Sequence, residues 1–352
     1  MKASLALVVL PLVSASPTWQ RPQRNQTYPG LDVLAKRAGL LYFGTAIDNV
    51  VLDNEQYTSI AHNRAEFGQV TPSNGQKWMH IEPQRNVFNY TLGDQVSEPG
   101  KAAGQLRRCH TFVWHNQLPT WLTQTTWSKD ELIAILENHI RNEARHYYDE
   151  CYAWDVVNEA FNDDGTWRDT LWLRTIGKEY IALAFQFARK YVSPRTRLYY
   201  NDYNIEKVNN KSLAVEALVT DFLGRDVPVP IDGVGLQAHF VTGRTQRYNQ
   251  TVAALKLFTQ HGLETALTEL DVRTVLPDLP EKQEQQAADY TNSVQACVDV
   301  EGCVGVTVWD FWDPVSWVPE TFPGEGNALL WDAGFVKKVA YYRVSDMLRG
   351  YA

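Results

Sequence analysis

Eight short runs rich in apolar and β-branched residues recur along the chain, and segments with helical periodicity separate them. The runs are residues 40–47, 66–72, 109–115, 152–159, 197–204, 231–239, 265–272 and 304–311. Strands that alternate with helices favour parallel pairing, because each helix carries the chain back to the start of the next strand. The pattern therefore predicts an α/β fold, a (β/α)8 TIM barrel.

The segment 127–147 is typical of a helix that covers one face of such a barrel. Ser128 can act as the N-cap, and Glu131 follows three residues later, which together form a capping box. Apolar residues recur at helical spacing along this segment, at Leu132, Ile133, Ile135, Leu136 and Ile140.

The first residues are typical of a cleavable secretory signal. Lys2 precedes an apolar run at 5–13, which small residues at 14–16 follow, and we expect cleavage after Ala15. This run is too short to span a bilayer, and no later stretch is long and apolar enough to do so. The sequence thus predicts a signal peptide at 1–15 and a secreted, extracellular protein.

Length and composition indicate that the remainder of the chain forms one domain. Residues 16–352 fit a single barrel, since no linker or low-complexity segment interrupts them. The net charge of −8 argues against nucleic acid or an anionic membrane as a partner. Twelve tryptophans allow a sugar-binding cleft, because the indole face stacks on a pyranose, although core packing explains part of this number.

Export also affects how the four cysteines and the glycan acceptors are interpreted. Cys297 and Cys303 are close in sequence and are expected to form a disulfide bond in an oxidising compartment. The sequence does not show whether Cys109 and Cys151 pair; they stay free if they lie on neighbouring strands at different heights. N-x-S/T acceptors for glycosylation occur at Asn25, Asn89, Asn210 and Asn249.

Polar and aromatic residues gather where the predicted strands end. In (β/α)8 barrels the chemistry lies at these carboxyl ends, so the residues are expected to outline a pocket. They are Asn74, Lys77, His110, Trp114, Asn158, Glu159, Asn201, Tyr203, Gln237, His239, Glu269, Asp271, Trp309 and Trp317.

Two of these residues can form a catalytic pair. Cleavage of a glycosidic bond with retention needs a protonated carboxyl and an ionised carboxylate about 5 to 5.5 Å apart. Glu159 and Glu269 end the fourth and seventh strands, so we expect them to face each other across the barrel mouth. Both terminate apolar runs, where desolvation can keep one of them protonated near neutral pH.

Several motifs resemble glycoside hydrolase family 10, the fungal endo-β-1,4-xylanases. They are HTFVWHNQLPTW at 110–121, WDVVNEAF at 154–161, GVGLQAH at 233–239, LTELD at 267–271 and TFPGEGNALLWDAGFVKKVAYY at 321–342. The similarity extends from about Gly30 to the C-terminus, with the motifs in the family's order. It implies a secreted retaining endo-acting β-glycosidase that hydrolyses xylan-like plant glycans without a cofactor.

The resemblance also implies residue roles. Glu159 matches the general acid/base and Glu269 the nucleophile, while His239 and Asp271 match the pair that orients the nucleophile. Asn158 matches the residue that binds the sugar 2-hydroxyl. The expected substrate-binding residues are His110, Trp114, Gln117, Trp309 and Trp317 around the reacting sugar, Asn74 and Lys77 on the non-reducing side, Tyr203 on the leaving-group side, and Gln237.

The chain departs from the family pattern at positions that bear on the substrate. Ser73 stands where the family has a glutamate that accepts hydrogen bonds from the second donor-side sugar. Asp310 replaces a glycine, and Trp312 replaces a small hydroxyl residue. We expect all three residues to be part of reshaped donor subsites, suited to a hexose-containing or branched glycone.

These departures leave two substrates open. The first is xylan, and the alternative is the steroidal glycoalkaloid α-tomatine, from which the family's tomatinases release the intact tetrasaccharide. A third reading is a sugar-binding barrel that has lost catalysis, although both glutamates are present. No cysteine and histidine spacing indicates a metal site, and no G-x-S-x-G elbow indicates a serine hydrolase. We expect a monomer.

Overall fold

The structure, a computed structural model, describes residues 28–351. It contains ten strands: β1 Tyr42–Ile47, β2 Gln69–Pro72, β3 Leu106–Val113, β4 Ala153–Asn158, β5 Arg197–Asp202, β6 Gly233–Leu236, β7 His239–Val241, β8 Glu264–Val275, β9 Cys303–Val308 and β10 Glu325–Gly326. The predicted signal peptide and the acceptor Asn25 lie outside the described residues.

Eight of these strands close into a parallel barrel, which confirms the predicted fold. The pairing order is β1, β2, β3, β4, β5, β6, β8, β9, and β9 pairs back onto β1, for example through Thr45 and Val308. Each strand matches one of the eight predicted runs. The observed strands β1 and β2 begin two to three residues later than predicted, because their first apolar residues belong to the loops that enter the barrel.

The remaining two strands extend the sheet beyond the barrel mouth. β8 is twelve residues long, and its second half pairs in parallel with β7 and antiparallel with β10. His239 in β7 is thereby held directly opposite Asp271 in β8. This extension was absent from the sequence interpretation, which treated 231–239 as one strand.

Helices surround the barrel: α1 Leu31–Arg37, α2 Glu55–Ala61, α3 Trp78–Ile81, α4 Thr91–Ala102, α5 Thr120–Thr123, α6 Lys129–His146, α7 Leu171–Thr175, α8 Tyr180–Tyr191, α9 Asn210–Gly224, α10 Tyr248–Thr259, α11 Pro280–Val298, α12 Val318–Thr321 and α13 Val339–Arg349. Short 3-10 helices lie at Asn49–Val51 and Asp313–Val315.

The predicted capping box of α6 is confirmed. The Glu131 amide donates to Ser128 Oγ over 3.3 Å, and the Ser128 amide donates to Glu131 Oε2 over 2.9 Å. These bonds satisfy amide groups that the first helical turn leaves unpaired. The apolar face then packs on the barrel, where Leu132 and Leu136 are fully buried.

Two disulfide bonds are present, one predicted and one not. Cys297 and Cys303 are bonded, as predicted. Cys109 and Cys151, whose pairing the sequence left open, are also bonded, so the condition under which they would stay free is not met. Cys109 lies within β3, whereas Cys151 lies in the segment that enters β4. The two Cα atoms are 5.8 Å apart, within disulfide range.

Surface features agree with several other expectations without testing them. The glycan acceptors Asn89, Asn210 and Asn249 are all exposed. Within residues 28–351, none of the helices combines the length and the apolar character that crossing a bilayer requires.

Candidate active site

A cleft of about 940 Å³ opens at the carboxyl ends of the barrel strands. The structure brings fifteen of the predicted site residues to its walls: Ser73, Asn74, Lys77, His110, Trp114, Gln117, Asn158, Glu159, Tyr203, Gln237, His239, Glu269, Trp309, Asp310 and Trp317. Three predicted residues do not line it: Asp271, which lies behind His239, Asn201, which is fully buried, and Trp312.

Glu159 follows β4 and projects into this cleft. Its backbone has a φ of 59°, in the left-handed region, which turns the chain sharply at the strand end. Trp114 donates its Nε1–H to Glu159 Oε2 over 2.9 Å, and Gln237 donates to Oε1 over 3.0 Å. Both donors are neutral. His115 Nδ1 lies 3.9 Å from Oε2, but burial lowers the pKa of His115, which favours its neutral form.

Glu269 lies within β8 and has a more enclosed, charged environment. Its carboxylate accepts a hydrogen bond from Asn201 Nδ2 over 2.8 Å, and Oε2 lies 3.3 Å from His239 Nε2. Burial opposes ionisation of this carboxyl, but the His239 hydrogen bond and the charges of His110 and His239 outweigh it and lower its pKa. Glu269 is therefore kept ionised.

His239 bridges Glu269 and Asp271. Its Nδ1 lies 2.9 Å from Asp271 Oδ2, which also accepts the Nε1–H of Trp317 over 2.7 Å. Burial favours neutral imidazole, but the two carboxylates outweigh it and raise the pKa of His239 to about 10. The imidazole is thus a fixed cation beside Glu269, and Asp271 holds it in place.

Three side-chain amides connect the two glutamates. The Asn158 side chain lies 2.9 Å from Asn201 Nδ2 and 3.3 Å from Gln237 Nε2. Because Gln237 contacts Glu159 and Asn201 contacts Glu269, the network fixes both carboxylates relative to Asn158. Sequence reasoning placed Asn201 at the pocket but gave it no role.

His110 is held from inside the barrel. Its Nδ1 lies 2.9 Å from Asp155 Oδ2, and buried Arg108 donates to Asp155 Oδ1 over 2.5 Å. Burial raises the pKa of Asp155, but the Arg108 charge and the His110 hydrogen bond lower it overall. The His110 ring packs edge-on against Trp309, with ring centroids 5.5 Å apart, at the cleft floor.

One side of the cleft, here called the Asn74 side, consists of Asp48, Ser73, Asn74, Lys77 and Asp310. Lys77 donates to Asn74 Oδ1 over 2.9 Å. Burial lowers the pKa of Lys77 to about 8, against the raising influence of Glu269, Glu159 and Asp48.

The opposite side, here called the Tyr203 side, presents an aromatic ring held by two cations. Arg168 donates to the Tyr203 hydroxyl over 2.8 Å and to the Glu159 carbonyl over 2.9 Å. The ammonium of fully buried Lys211 lies 3.5 Å from the Tyr203 ring centroid. Arg168 was missed by sequence reasoning, because only tertiary packing brings it to the turn that carries Glu159.

Trp312 does not contribute to the cleft, contrary to the sequence interpretation. Its ring stacks on Phe335, with centroids 4.3 Å apart and planes within 7°. The stacking turns the indole away from the cleft and towards the C-terminal loop.

Asp310 lines the cleft but is largely buried, with 5% of its surface exposed. Tyr57 donates its hydroxyl to Oδ2 over 2.8 Å, and the Phe311 amide donates to Oδ1 over 2.7 Å. Burial raises its pKa to about 7, partly opposed by these hydrogen bonds. Its φ of 70° lies in the left-handed region that favours glycine.

Asp48 also lines the cleft, and sequence reasoning missed it. It directly follows Ile47, the last residue of β1, and no polar end residue had been assigned to that strand. The rule that identified the other strand ends would have found it.

The arrangement supports acid-assisted nucleophilic cleavage. Glu269 is held ionised beside a cation, and Glu159 is held in the same cleft by neutral donors. Two carboxyl groups in such different environments can divide the nucleophile and proton-donor roles between them.

Comparison with known proteins agrees with this chemistry. The family model described as Glycosyl hydrolase family 10 matches residues 30–347. Endo-1,4-beta-xylanase A of Humicola insolens is 46% identical over 97% of this chain and 92% of its own length. Endo-1,4-beta-xylanase D of Talaromyces funiculosus is 45% identical over 89% of this chain and 76% of its own.

Solved structures give the same result. The GH10 xylanase from Bispora sp. MEY-1, crystallised with xylobiose, superposes with a TM-score of 0.87 at 41% identity, covering 90% of this chain and 99% of that one. An endo-1,4-beta-xylanase from Penicillium canescens gives 0.88 at 41% identity, covering 91% and 98%. With the family model matching nearly all the described residues and relatives above 40% identity, the chain belongs to glycosyl hydrolase family 10.

Proposed function

We propose that this protein is a secreted, monomeric endo-β-1,4-xylanase that cleaves xylan with retention of anomeric configuration. The observation that carries the proposal is the pair Glu159 and Glu269 in one cleft, with an ionised carboxylate beside His239 and a second carboxyl held by neutral donors. The similarity to proteins named as xylanases supports xylan as the substrate class.

In the first step, a Glu269 carboxylate oxygen attacks the anomeric carbon while Glu159 donates its proton to the departing glycosidic oxygen. The bond to the leaving sugar breaks as the bond to Glu269 forms, which gives a covalent glycosyl-enzyme. In the second step, Glu159 takes a proton from water, the water oxygen attacks the anomeric carbon, and the Glu269 carboxylate is released. Two inversions give overall retention.

The supporting residues have assignable roles in this scheme. His239 and Asp271 keep Glu269 ionised and oriented, and Asn158 binds the 2-hydroxyl of the reacting sugar. His110, Trp114, Gln117, Gln237, Trp309 and Trp317 surround that sugar. Asn74 and Lys77 bind the next sugar towards the non-reducing end, and Tyr203 stacks on the leaving group.

A tomatinase-like activity is a second candidate, because Ser73 and Asp310 change the Asn74 side of the cleft. Trp312 no longer supports it, since this ring packs on Phe335 outside the cleft. The relatives compared above are all named as xylanases. Xylan is therefore the conclusion, and α-tomatine is the comparison substrate in its test.

Product analysis by mass spectrometry after separate incubation with xylan and α-tomatine tests the proposal. We expect short xylo-oligosaccharides from xylan, with the β-anomer appearing first by NMR. Release of the intact tetrasaccharide from α-tomatine, with xylan cut poorly, would establish the second candidate instead. No cleavage of either substrate would indicate a sugar-binding barrel.

A further inference from the structure

Asp48 presents a carboxylate at the Asn74 side of the cleft. Its Oδ2 accepts hydrogen bonds from Asn74 Nδ2 over 2.7 Å and from Ser73 Oγ over 3.2 Å. Oδ1 accepts the Val50 amide over 3.3 Å, so the side chain also caps the 3-10 helix after β1. These three bonds fix the carboxylate, which lines the cleft, and leave about one of its four acceptor sites free, on Oδ1.

Ser73 cannot supply the acceptor that a glutamate would supply at its position. Its side chain is buried, and its single hydroxyl hydrogen is shared between the Ile47 carbonyl at 3.1 Å and Asp48 Oδ2 at 3.2 Å. Asp48 therefore offers a negative charge one hydrogen bond from Ser73, but it follows β1, whereas Ser73 follows β2.

The neighbouring groups suit a polyol. Asn74 links Asp48 to the ammonium of Lys77, so one acceptor and several donors lie side by side. Asp310 lies on the same wall, close enough for the Asp48 charge to influence its ionisation. A sugar presents adjacent hydroxyls that both donate and accept, and it therefore matches this combination.

We propose that Asp48 is a specificity-determining residue that accepts a hydrogen bond from a hydroxyl of the second sugar on the non-reducing side. It replaces, from a different strand, the carboxylate that Ser73 lacks. This inference rests on the proposed function, because it assigns a subsite within the same glycan-binding cleft.

The test compares two substrates with the same leaving group, 4-nitrophenyl β-xylobioside and 4-nitrophenyl β-xyloside. Only the disaccharide reaches the subsite. The kcat/KM for the xylobioside divided by that for the xyloside therefore isolates the contribution of the subsite. For Asp48→Asn we expect this ratio to fall about 10-fold or more, as loss of a charged hydrogen bond implies. The control Asp53→Asn, on the same loop with an exposed side chain, should leave the ratio unchanged.

A rescue experiment distinguishes sugar binding by Asp48 from a merely structural role. Adding Ser73→Glu to Asp48→Asn returns a carboxylate to the subsite and should restore most of the ratio. Disaccharide analogues that lack the 2- or the 3-hydroxyl of the terminal sugar identify the hydroxyl that Asp48 binds. The analogue without that hydroxyl should lose less activity in Asp48→Asn than the complete disaccharide does.

The inference is overturned if Asp48→Asn lowers kcat/KM equally on both substrates, or if Ser73→Glu restores nothing. Failure of the proposed function would give a different result, because the wild-type protein would then hydrolyse neither the aryl glycosides nor xylan.

Discussion

The imidazole Nε2 of His239 lies 3.3 Å from Oε2 of Glu269. The contact joins a histidine with a pKa raised to about 10 to a carboxyl with a lowered pKa. A permanent positive charge therefore stands beside the proposed nucleophile, and it offsets the cost of keeping a buried carboxylate ionised.

Replacing His239 should change the pH dependence of catalysis. In His239→Asn, burial raises the pKa of Glu269 with only the His110 charge left to oppose it. The acid limb of the kcat/KM–pH profile should then move to higher pH by about one unit or more. Activity near neutral pH should also fall. The surface variant His261→Asn should show the wild-type profile, and an unshifted acid limb in His239→Asn would refute the electrostatic role.

Removing the proposed proton donor should affect substrates according to their leaving groups. Glu159→Ala should lower the rate on xylan by about 100-fold or more, since general acid catalysis contributes about 10² to 10⁴. It should largely spare the glycosylation step on a 2,4-dinitrophenyl xylobioside, which needs little protonation. Pre-steady-state release of the phenol measures this step. Glu269→Gln should abolish turnover on both substrates, and similar rate losses on both in Glu159→Ala would reverse the assigned roles.

The sequence was sufficient for the barrel and for most of the cleft, because both follow from local rules. Apolar runs marked the eight strands, and polar strand ends marked the lining. The same rule applied to Ile47 would have added Asp48. The short strand that begins at His239 was not predicted, because it pairs only where β8 continues past the barrel.

Other features could not be predicted because they depend on packing between distant segments. Trp312 is adjacent to residues that lie near the cleft floor, yet Phe335 from a later loop decides where its ring points. The bond from Cys109 to Cys151 depends on the path of the segment that enters β4, and the strand pattern does not specify that path.

Asp310 should make stability depend on pH. Its pKa is about 7 in the folded protein, against 3.8 ordinarily, so the folded state retains a proton that the unfolded chain has lost. This contribution is fully present below about pH 4 and is lost as pH rises to about 7. Asp310→Asn removes this contribution. The Tm of the variant minus the Tm of the wild type should therefore increase as the pH rises from 4 to 7. The buried Asp202, whose pKa is also about 7, is present in both proteins and cancels.

The exposed Asp53→Asn variant is the matched control for that measurement, because it removes the same charge from the same side of the barrel. Its Tm difference from wild type should be nearly constant across the pH range. A constant difference for Asp310→Asn would instead mean that the Tyr57 and backbone hydrogen bonds keep Asp310 ionised throughout.

The two disulfide bonds should contribute unequally to stability. Cys109 and Cys151 are 42 residues apart, whereas Cys297 and Cys303 are six apart. In the chain-entropy account, the longer loop restricts the unfolded chain more, by about 4 kcal/mol against about 2 kcal/mol. Replacing Cys109 and Cys151 by alanine should therefore lower the free energy of unfolding in urea more than replacing Cys297 and Cys303. All four cysteines are buried, so the two variants remove similar side-chain contacts and their difference isolates the loop. Equal losses, or a greater loss at the short loop, would show that native-state packing around the bridges outweighs chain entropy.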